Sequence, residues 1–228
     1  MTDNGTGVAG GCPACKLIIA KVFDPDQGYD FAIARGITWS ADSGAEVINC
    51  SFTGPGDSRA FKDAIDHATK KGAVVVAAAG NGDTNKPKYP AAYPGVIAVA
   101  ATNQQDQRTS FSNHGSWVDV VAPGVGILST FPGGYRSLNG TSVAAPHVSA
   151  LAGLLAAQGR GPLAIKDRIL QTALDLGPKR PRSLLRPRTH KGRPVHPQVA
   201  PREPGVTESN RRSRPPGTGE AGTQSDPV

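Results

Sequence analysis

Ser142 stands in the string Asn139-Gly-Thr-Ser-Val-Ala-Ala-Pro-His147, at the head of a long apolar stretch. A Ser in the first turn of a buried helix has its hydroxyl near the positive end of the helix dipole. It also lies near backbone N–H groups that have no partner within the helix. Such a place stabilises a developing oxyanion as well as it caps a helix, and caps are the commoner use. Asn81-Gly82 taken alone is a turn dipeptide. Cys12-Pro13-Ala14-Cys15 has the C-x-x-C spacing of redox sites, whose first Cys sits at a helix N-terminus where the dipole lowers its pKa. Here the pair leads into Lys16-Leu-Ile-Ile-Ala-Lys-Val-Phe23, which has the composition of a strand. Two surface thiols or one small local disulfide is therefore the preferred reading over a redox dithiol. Zinc would need a second ligand pair, and none has suitable spacing. His147, five positions beyond Ser142 on a helix, points away from the hydroxyl. His67 on a surface helix and His114 in a loop are expected to have structural or solvent roles.

These residues need a framework, and the sequence outlines one. Val- and Ile-rich runs alternate with helical patterns, the layout of a parallel sheet covered by helices. Strands are predicted at Lys16–Phe23, Val47–Ser51, Ala73–Ala79, Val96–Ala101 and Val118–Ala122. The Ala73–Ala79 run is uninterrupted and apolar, as in a central strand buried on both faces. Helices are predicted at Tyr29–Ala41, Ser58–Lys71, Ser142–Ala157 and Pro162–Thr172. The second starts at Asp57 or Ser58 as cap and stops at Gly72; the last opens with Pro in its first turn. The Ser142–Ala157 helix leaves almost no polar face, so it is expected inside the domain. The Gly-Thr-Ser at its start would then lie where the strand-end loops converge.

Charge divides the chain. Of its 25 Lys+Arg and 18 Asp+Glu, residues 177–228 hold 11 and 4, a net of +7, which leaves residues 1–176 neutral at 14 and 14. Half of the 20 prolines lie in the same 52-residue tail. Such a segment cannot bury enough surface to offset its chain entropy and is expected to be disordered. The basic excess therefore does not form a folded face, so no nucleic-acid or membrane partner is expected. No apolar run approaches the roughly 20 residues of a membrane span. Three cysteines are too few for a disulfide scaffold.

The string around Ser142 closely resembles the nucleophile motif of the subtilisin-like serine proteases (subtilases), G-T-S-x-A-A-P-H. Further motifs follow the family order. Gly44-Ala-Glu-Val-Ile-Asn-Cys-Ser51 resembles a strand whose continuation, Phe52-Thr53-Gly54, pairs with substrate backbone. Val74-Val-Val-Ala-Ala-Ala-Gly-Asn81 resembles the strand and turn that present an oxyanion-hole Asn. Tyr89–Val99 and Phe111–Gly124 are also similar to family segments, and the likeness covers residues 3–176. It implies a three-layer α/β/α subtilisin-like parallel sheet and a serine endopeptidase acting on a peptide or protein substrate. Ser142 would be the nucleophile and Asn81 an oxyanion donor beside the Ser142 backbone N–H. Ser51, Phe52, Thr53, Gly54, Ala78, Ala79 and Gly80 would line the substrate. Family likeness also implies a monomer that works outside the cell.

The likeness is incomplete. The family's triad Asp, in D-[ST]-G, and its His, in H-G-T-x-V-A-G, both come from upstream of the matched region, and neither motif occurs in this sequence. The fold is therefore expected to be incomplete at the N-terminus, with coding sequence for both motifs expected upstream. Asp3–Pro13 resembles the family's calcium loop, which implies the Thr2, Thr6 and Val8 carbonyls and the Asn4 side chain as ligands. Those four are fewer than the roughly six to eight oxygens calcium takes, so binding would be weak. After Leu176 the family's Gly-rich aromatic continuation is replaced by the Pro/Arg-rich tail, 177–228, expected to be a frameshifted reading or a genuine disordered linker. The expected function is thus a subtilase domain that is inert as written, with a non-catalytic peptide-binding pseudoprotease as the alternative.

Overall fold

The computed structural model describes residues 5–23, 29–54, 56–176 and 193–194. Thr2, Asn4 and almost all of the 177–228 tail lie outside the described residues.

Five parallel strands form the central sheet in the order β1 (Val47–Cys50), β2 (Val74–Ala78), β3 (Ile97–Thr102), β4 (Val120–Pro123) and β7 (Arg193–Pro194). Two layers of helix cover it. α1 (Asp30–Asp42) and α2 (Arg59–Lys70) pack on one face, and α3 (Thr141–Ala156) and α4 (Pro162–Thr172) on the other. The alternation of side chains along a strand sets which core each residue joins. In β2, Val74, Val76 and Ala78 join the α3–α4 core, whereas Val75 and Ala77 join the α1–α2 core. All five β2 residues are buried, so this strand is sealed on both faces, as its unbroken apolar run requires. Burying each of its valines contributes about 1.5–3 kcal/mol.

The predicted elements correspond to observed ones within two residues, with three differences, the first being that β7 pairs beside β4 from within the tail expected to be disordered. Residues 16–23 form no strand, because among the described residues no strand pairs with them. A hairpin of β5 (Ile127–Phe131) and β6 (Gly134–Leu138) occupies a stretch whose sequence predicts no element. It turns at Gly133 and Gly134, both at positive φ, and its side chains are mostly exposed, so it lacks the buried alternation that marks a strand. The α3 helix also differs from expectation. Thr141, Ala144, Ala145, Val148, Ala152, Leu155 and Ala156 are buried, but Pro146 is exposed and Val143, His147, Ala150 and Leu154 are half-buried.

The α2 N-terminus is held without a side-chain cap. Ser58 donates its backbone N–H to the Tyr93 hydroxyl at 2.8 Å, and that hydroxyl lies 2.8 Å from Asp57 Oδ1.

Cys50, the last residue of β1, is 1% exposed, and burial pushes its thiol from 9.0 up to about 12. A raised folded-state value favours the protonated thiol. The stabilisation is therefore complete below pH 9.0 and is lost as pH climbs through about 12. Urea unfolding of the protein and of Cys50→Ala is expected to show a stability difference that is flat below pH 9.0 and shifts against the parent protein above it. A difference independent of pH across that window would disprove the assignment.

Candidate active site

The N-terminus of α3 meets the C-terminal ends of β1, β2 and β4, and each contact has an identifiable cause. Thr141, fully buried, accepts the Gly80 N–H on its hydroxyl at 2.9 Å and donates the hydroxyl proton to Asn81 Oδ1 at 2.9 Å. Its own backbone N–H donates to the same Oδ1 at 2.9 Å. One carboxamide oxygen therefore satisfies the first orphan N–H of the helix. With both Thr141 donors on one side of the amide, its oxygen must face them and Nδ2 must face away.

The Pro within α3 has a specific effect. Pro146 has no N–H, so the Ser142 carbonyl four residues earlier loses its helical donor. The Ser51 hydroxyl takes that place, donating to Ser142 O at 2.8 Å. This bond ties the end of β1 to the first turn of α3. On the far side, Gly140 N–H donates to Gly124 O at 2.8 Å, just after β4. The approach is too close for side chains: a Cβ at Gly124 would lie 2.8 Å from Gly140 O and 2.6 Å from Ala101 Cβ.

Ser142 and Asn81 are brought together. A methyl group on Gly140 would sit 3.2 Å from Asn81 Nδ2 and 3.7 Å from the Ser142 backbone nitrogen, so the two donors flank one small space. Among the described residues neither the Ser142 N–H nor its hydroxyl has a hydrogen-bond partner. Gly140, at φ +149°, keeps that space open. Two converging N–H donors at a helix N-terminus beside a hydroxyl are the components of an oxyanion hole with its nucleophile.

The turn that carries Asn81 is latched by Asn113, which is 1% exposed. Its Nδ2 donates to Ala79 O at 2.7 Å, and its Oδ1 accepts the N–H groups of Gly82 and Thr84 at 2.9 and 3.1 Å. Arg108 adds an outer tie, donating to Asp83 Oδ1 at 2.7 Å and to Ser112 O at 2.8 Å. The guanidinium holds the Asp83 carboxyl below its usual range. Neither Asn113 nor Thr141 stands out in the sequence as a functional residue. Their signal lies in position only: Thr141 precedes Ser142, and Asn113 lies within the Phe111–Gly124 motif.

The candidate substrate-lining residues fall into two sets. Ser51, Phe52 and Gly54 are half-buried and Thr53 is exposed. Phe52 packs edge-on against Phe23, and Gly54 N–H is taken by Tyr89 O at 2.7 Å. Ala78, Ala79 and Gly80 are buried, and both backbone groups of Ala79 and of Gly80 are already bonded. Those two therefore offer a substrate no free backbone N–H.

No described imidazole faces Ser142. His147 Nδ1 lies 2.9 Å from Val143 O, His67 Nε2 lies 2.9 Å from Asp42 Oδ1, and His114 sits 3.4 Å from Arg108. Of the five histidines, His190 and His196 lie outside the described residues. Of the nominated calcium ligands, Thr6 and Val8 are among the described residues, and Thr2 and Asn4 lie outside them. Among the described residues no group of three or more His, Cys, Asp or Glu could hold a metal ion. Cys12 and Cys15 form a disulfide, and the first helix after them begins only at Asp30, so Cys12 gains no helix-dipole activation. No described helix is long and apolar enough to cross a membrane.

A parallel sheet between two helical layers, with Ser and Asn converging at its strand ends, is a three-layer α/β/α scaffold. Comparison with known proteins gives the family: the sequence model of the Subtilase family matches residues 1–199, and the chain belongs to that family. It is 48% identical over 175 residues to thermitase of Thermoactinomyces vulgaris, covering 76% of this chain and 63% of thermitase. It is also 48% identical over 174 residues to a thermophilic serine proteinase of Bacillus sp. (strain AK1), covering 75% of this chain and 43% of that protein. The chain thus spans less than two thirds of these relatives. Among solved structures it is similar to a mutant of the PatA protease domain, with a TM-score of 0.72 and 32% identity over 76% of this chain and 69% of that one. A protease of Pseudoalteromonas arctica gives a TM-score of 0.71 and 35% identity over 75% and 60%.

Thr141→Val keeps the side-chain volume and removes the hydroxyl. It strands the Gly80 N–H and frees one side of the Asn81 amide. The variant is expected to lose about 1–3 kcal/mol in urea unfolding, with sharply altered Asn81 side-chain amide resonances in the NMR spectrum. Unchanged resonances would show that Thr141 does not orient the amide.

Proposed function

We propose that Ser142 is the nucleophile of a serine endopeptidase site and that Asn81 Nδ2 and the Ser142 N–H are its oxyanion donors. The observation that carries this reading is the convergence of two unoccupied donors and a free hydroxyl at the buried N-terminus of α3. In the reaction, Ser142 Oγ attacks the peptide carbonyl carbon while its proton passes to a base. The carbonyl oxygen becomes an oxyanion between the two donors, the C–N bond then breaks, and water releases the acyl group. Ser51–Gly54 would hold the substrate as an added strand. Family likeness supports an extracellular place of action, and residues 1–176 as the domain that does this work.

This chain alone is expected to be nearly inert, because no described imidazole reaches Ser142. The size of the loss is carried over from subtilisin itself, where removal of the catalytic His lowers kcat by about 10⁶-fold. A retained peptide-binding strand without turnover is the second reading, favoured by the exposure of Thr53 beside a site that no described imidazole reaches.

Peptidase assays and labelling by a fluorophosphonate, with Ser142→Ala as control, test this directly. The expected result is no turnover above the Ser142→Ala background and very slow labelling confined to Ser142. Turnover at ordinary enzymatic rates, abolished in Ser142→Ala, would mean that a base is present and that the chain is not inert. Labelling at another serine would overturn the nucleophile assignment.

A further inference from the structure

The Cys12–Cys15 disulfide has no part in the chemistry at Ser142, yet it occupies a specific place on α3. The loop that carries it has two supports. Gly7 lies against the ring of Tyr135 in β6. Further along, Gly11 meets α3, where a Cβ at Gly11 would lie 2.7 Å from Ala150 Cβ. Among the described residues no hydrogen bond joins residues 11–15 to α3. The Cys15 N–H bond to Cys12 O, at 3.1 Å, only closes the turn on itself. Packing alone therefore holds this stretch on the helix, and much of that packing is made by sulfur.

Gly153 supplies the socket. A Cβ there would meet Cys15 Sγ at 2.8 Å and Cys12 Sγ at 3.4 Å, so the two sulfurs fill the space a side chain would take. That space suits a bonded pair, whose sulfurs are only about 2 Å apart. Two unbonded thiols must separate to van der Waals contact, roughly 3.5 Å or more. The backbone of α3 blocks one direction, so opening the bond moves at least one sulfur out of the socket. Solvent reaches the bond, because Cys15 is exposed and Cys12 half-buried. Cys50, at 1% exposure, is shielded from the same reagents.

We propose that Cys12–Cys15 is a thiol–disulfide exchange site for a dithiol, and that its reduction releases residues 11–15 from α3. A thiolate of the dithiol attacks Cys15 Sγ, the more exposed sulfur. The S–S bond breaks, and Cys12 leaves as a thiolate and takes a proton. The second thiol of the reagent, once deprotonated, closes on the mixed disulfide and expels Cys15, which is protonated in turn. The protein disulfide is thus reduced to two thiols while the dithiol is oxidised to a disulfide. The absence of helix-dipole activation at Cys12 suits a clasp and not a redox catalyst. The cysteines are three positions apart, so the ring that opens is small and its loss is felt locally. The clasp is closed in an oxidising compartment and open in a reducing one. None of this depends on which residue is the nucleophile.

Two measurements test the proposal. In the first, the native chain is treated with dithiothreitol and then iodoacetamide, and the modified cysteines are located by mass spectrometry. Labelling of Cys12 and Cys15, with Cys50 untouched, is expected. No labelling without denaturant, or labelling that always includes Cys50, would overturn the exchange site. In the second, brief trypsin digestion without reductant follows cleavage after Lys16, which is exposed and adjoins Cys15. The Cys12→Ser/Cys15→Ser variant is expected to be cut there at least about tenfold faster than the parent. Gly153→Ala, which favours the helix but fills the socket, is expected to give the same increase with the disulfide intact. A parental cutting rate in the double Ser variant would show that the bond does not hold the loop. A parental rate in Gly153→Ala would show that the socket is not at Gly153. In both variants Cys50 is expected to stay unlabelled by iodoacetamide. Labelling of Cys50 would mean that the whole fold had opened, which would replace local release as the explanation.

Discussion

The hydroxyl of Thr141 is the point on which the site depends. It accepts from Gly80 at the end of β2 and donates to Asn81 in the turn that follows, so one buried side chain joins the sheet, the turn and the helix. A buried hydroxyl must find partners or incur a desolvation cost, and here both its donor and its acceptor capacity are used. The Asn81 oxygen is occupied twice as a result, which leaves its Nδ2 as the free donor. The Ser51 bond to the Ser142 carbonyl depends in the same way on Pro146, whose missing N–H leaves that carbonyl open to Ser51. A Pro inside a helix usually breaks it; here the break is turned into a tie between helix and sheet.

Small residues make that geometry possible. The strand ends beneath α3 are built from Ala78, Ala101 and Ala122, all buried. The helix answers with Ala144, Ala145 and Ala152 on its buried side. Larger side chains would lift α3 away from the sheet and lengthen every bond in the clamp, in the manner of an overpacked core. The close approach of Gly124 to Gly140 belongs to the same constraint, since Gly124 has no room for a Cβ and one at Gly140 would crowd Asn81 Nδ2 at 3.2 Å. An Ala-rich core has less apolar surface to bury, which is offset here by sheet strands sealed on both faces.

Much of this is legible in the sequence, and the exceptions share a cause. Elements whose own residues dictate their state are readable: β2 by its continuous apolar run, α2 by its amphipathic spacing, α4 by its opening Pro. Residues 16–23 have equal strand character, but a strand also needs a neighbour, and composition does not say whether one is present. The β5–β6 hairpin is illegible for the opposite reason, because its neighbour is itself and its faces are exposed. At the site, Ser142 and Asn81 are visible through motif likeness, whereas Thr141 and Asn113 are not. Their work is done through hydrogen bonds to distant backbone groups, a property of tertiary placement that neither residue type nor spacing encodes.

The proposed oxyanion donors therefore owe their placement to the scaffold and not to a base. Each is fixed by bonds among the segment after β1, the turn after β2 and the first turn of α3, all within the described residues. None of these bonds involves an imidazole. The donor half can thus keep its geometry whether or not a base stands opposite Ser142. Outside the site, Leu17 and Ile19 are exposed, and Val143, His147, Ala150 and Leu154 of α3 are half-buried. A parallel sheet tolerates an exposed edge poorly, since its strands are apolar on both faces and its edge carries a row of unpaired backbone groups. The proposed donors are thus preorganised by the sheet–helix junction itself, independently of what stands opposite Ser142.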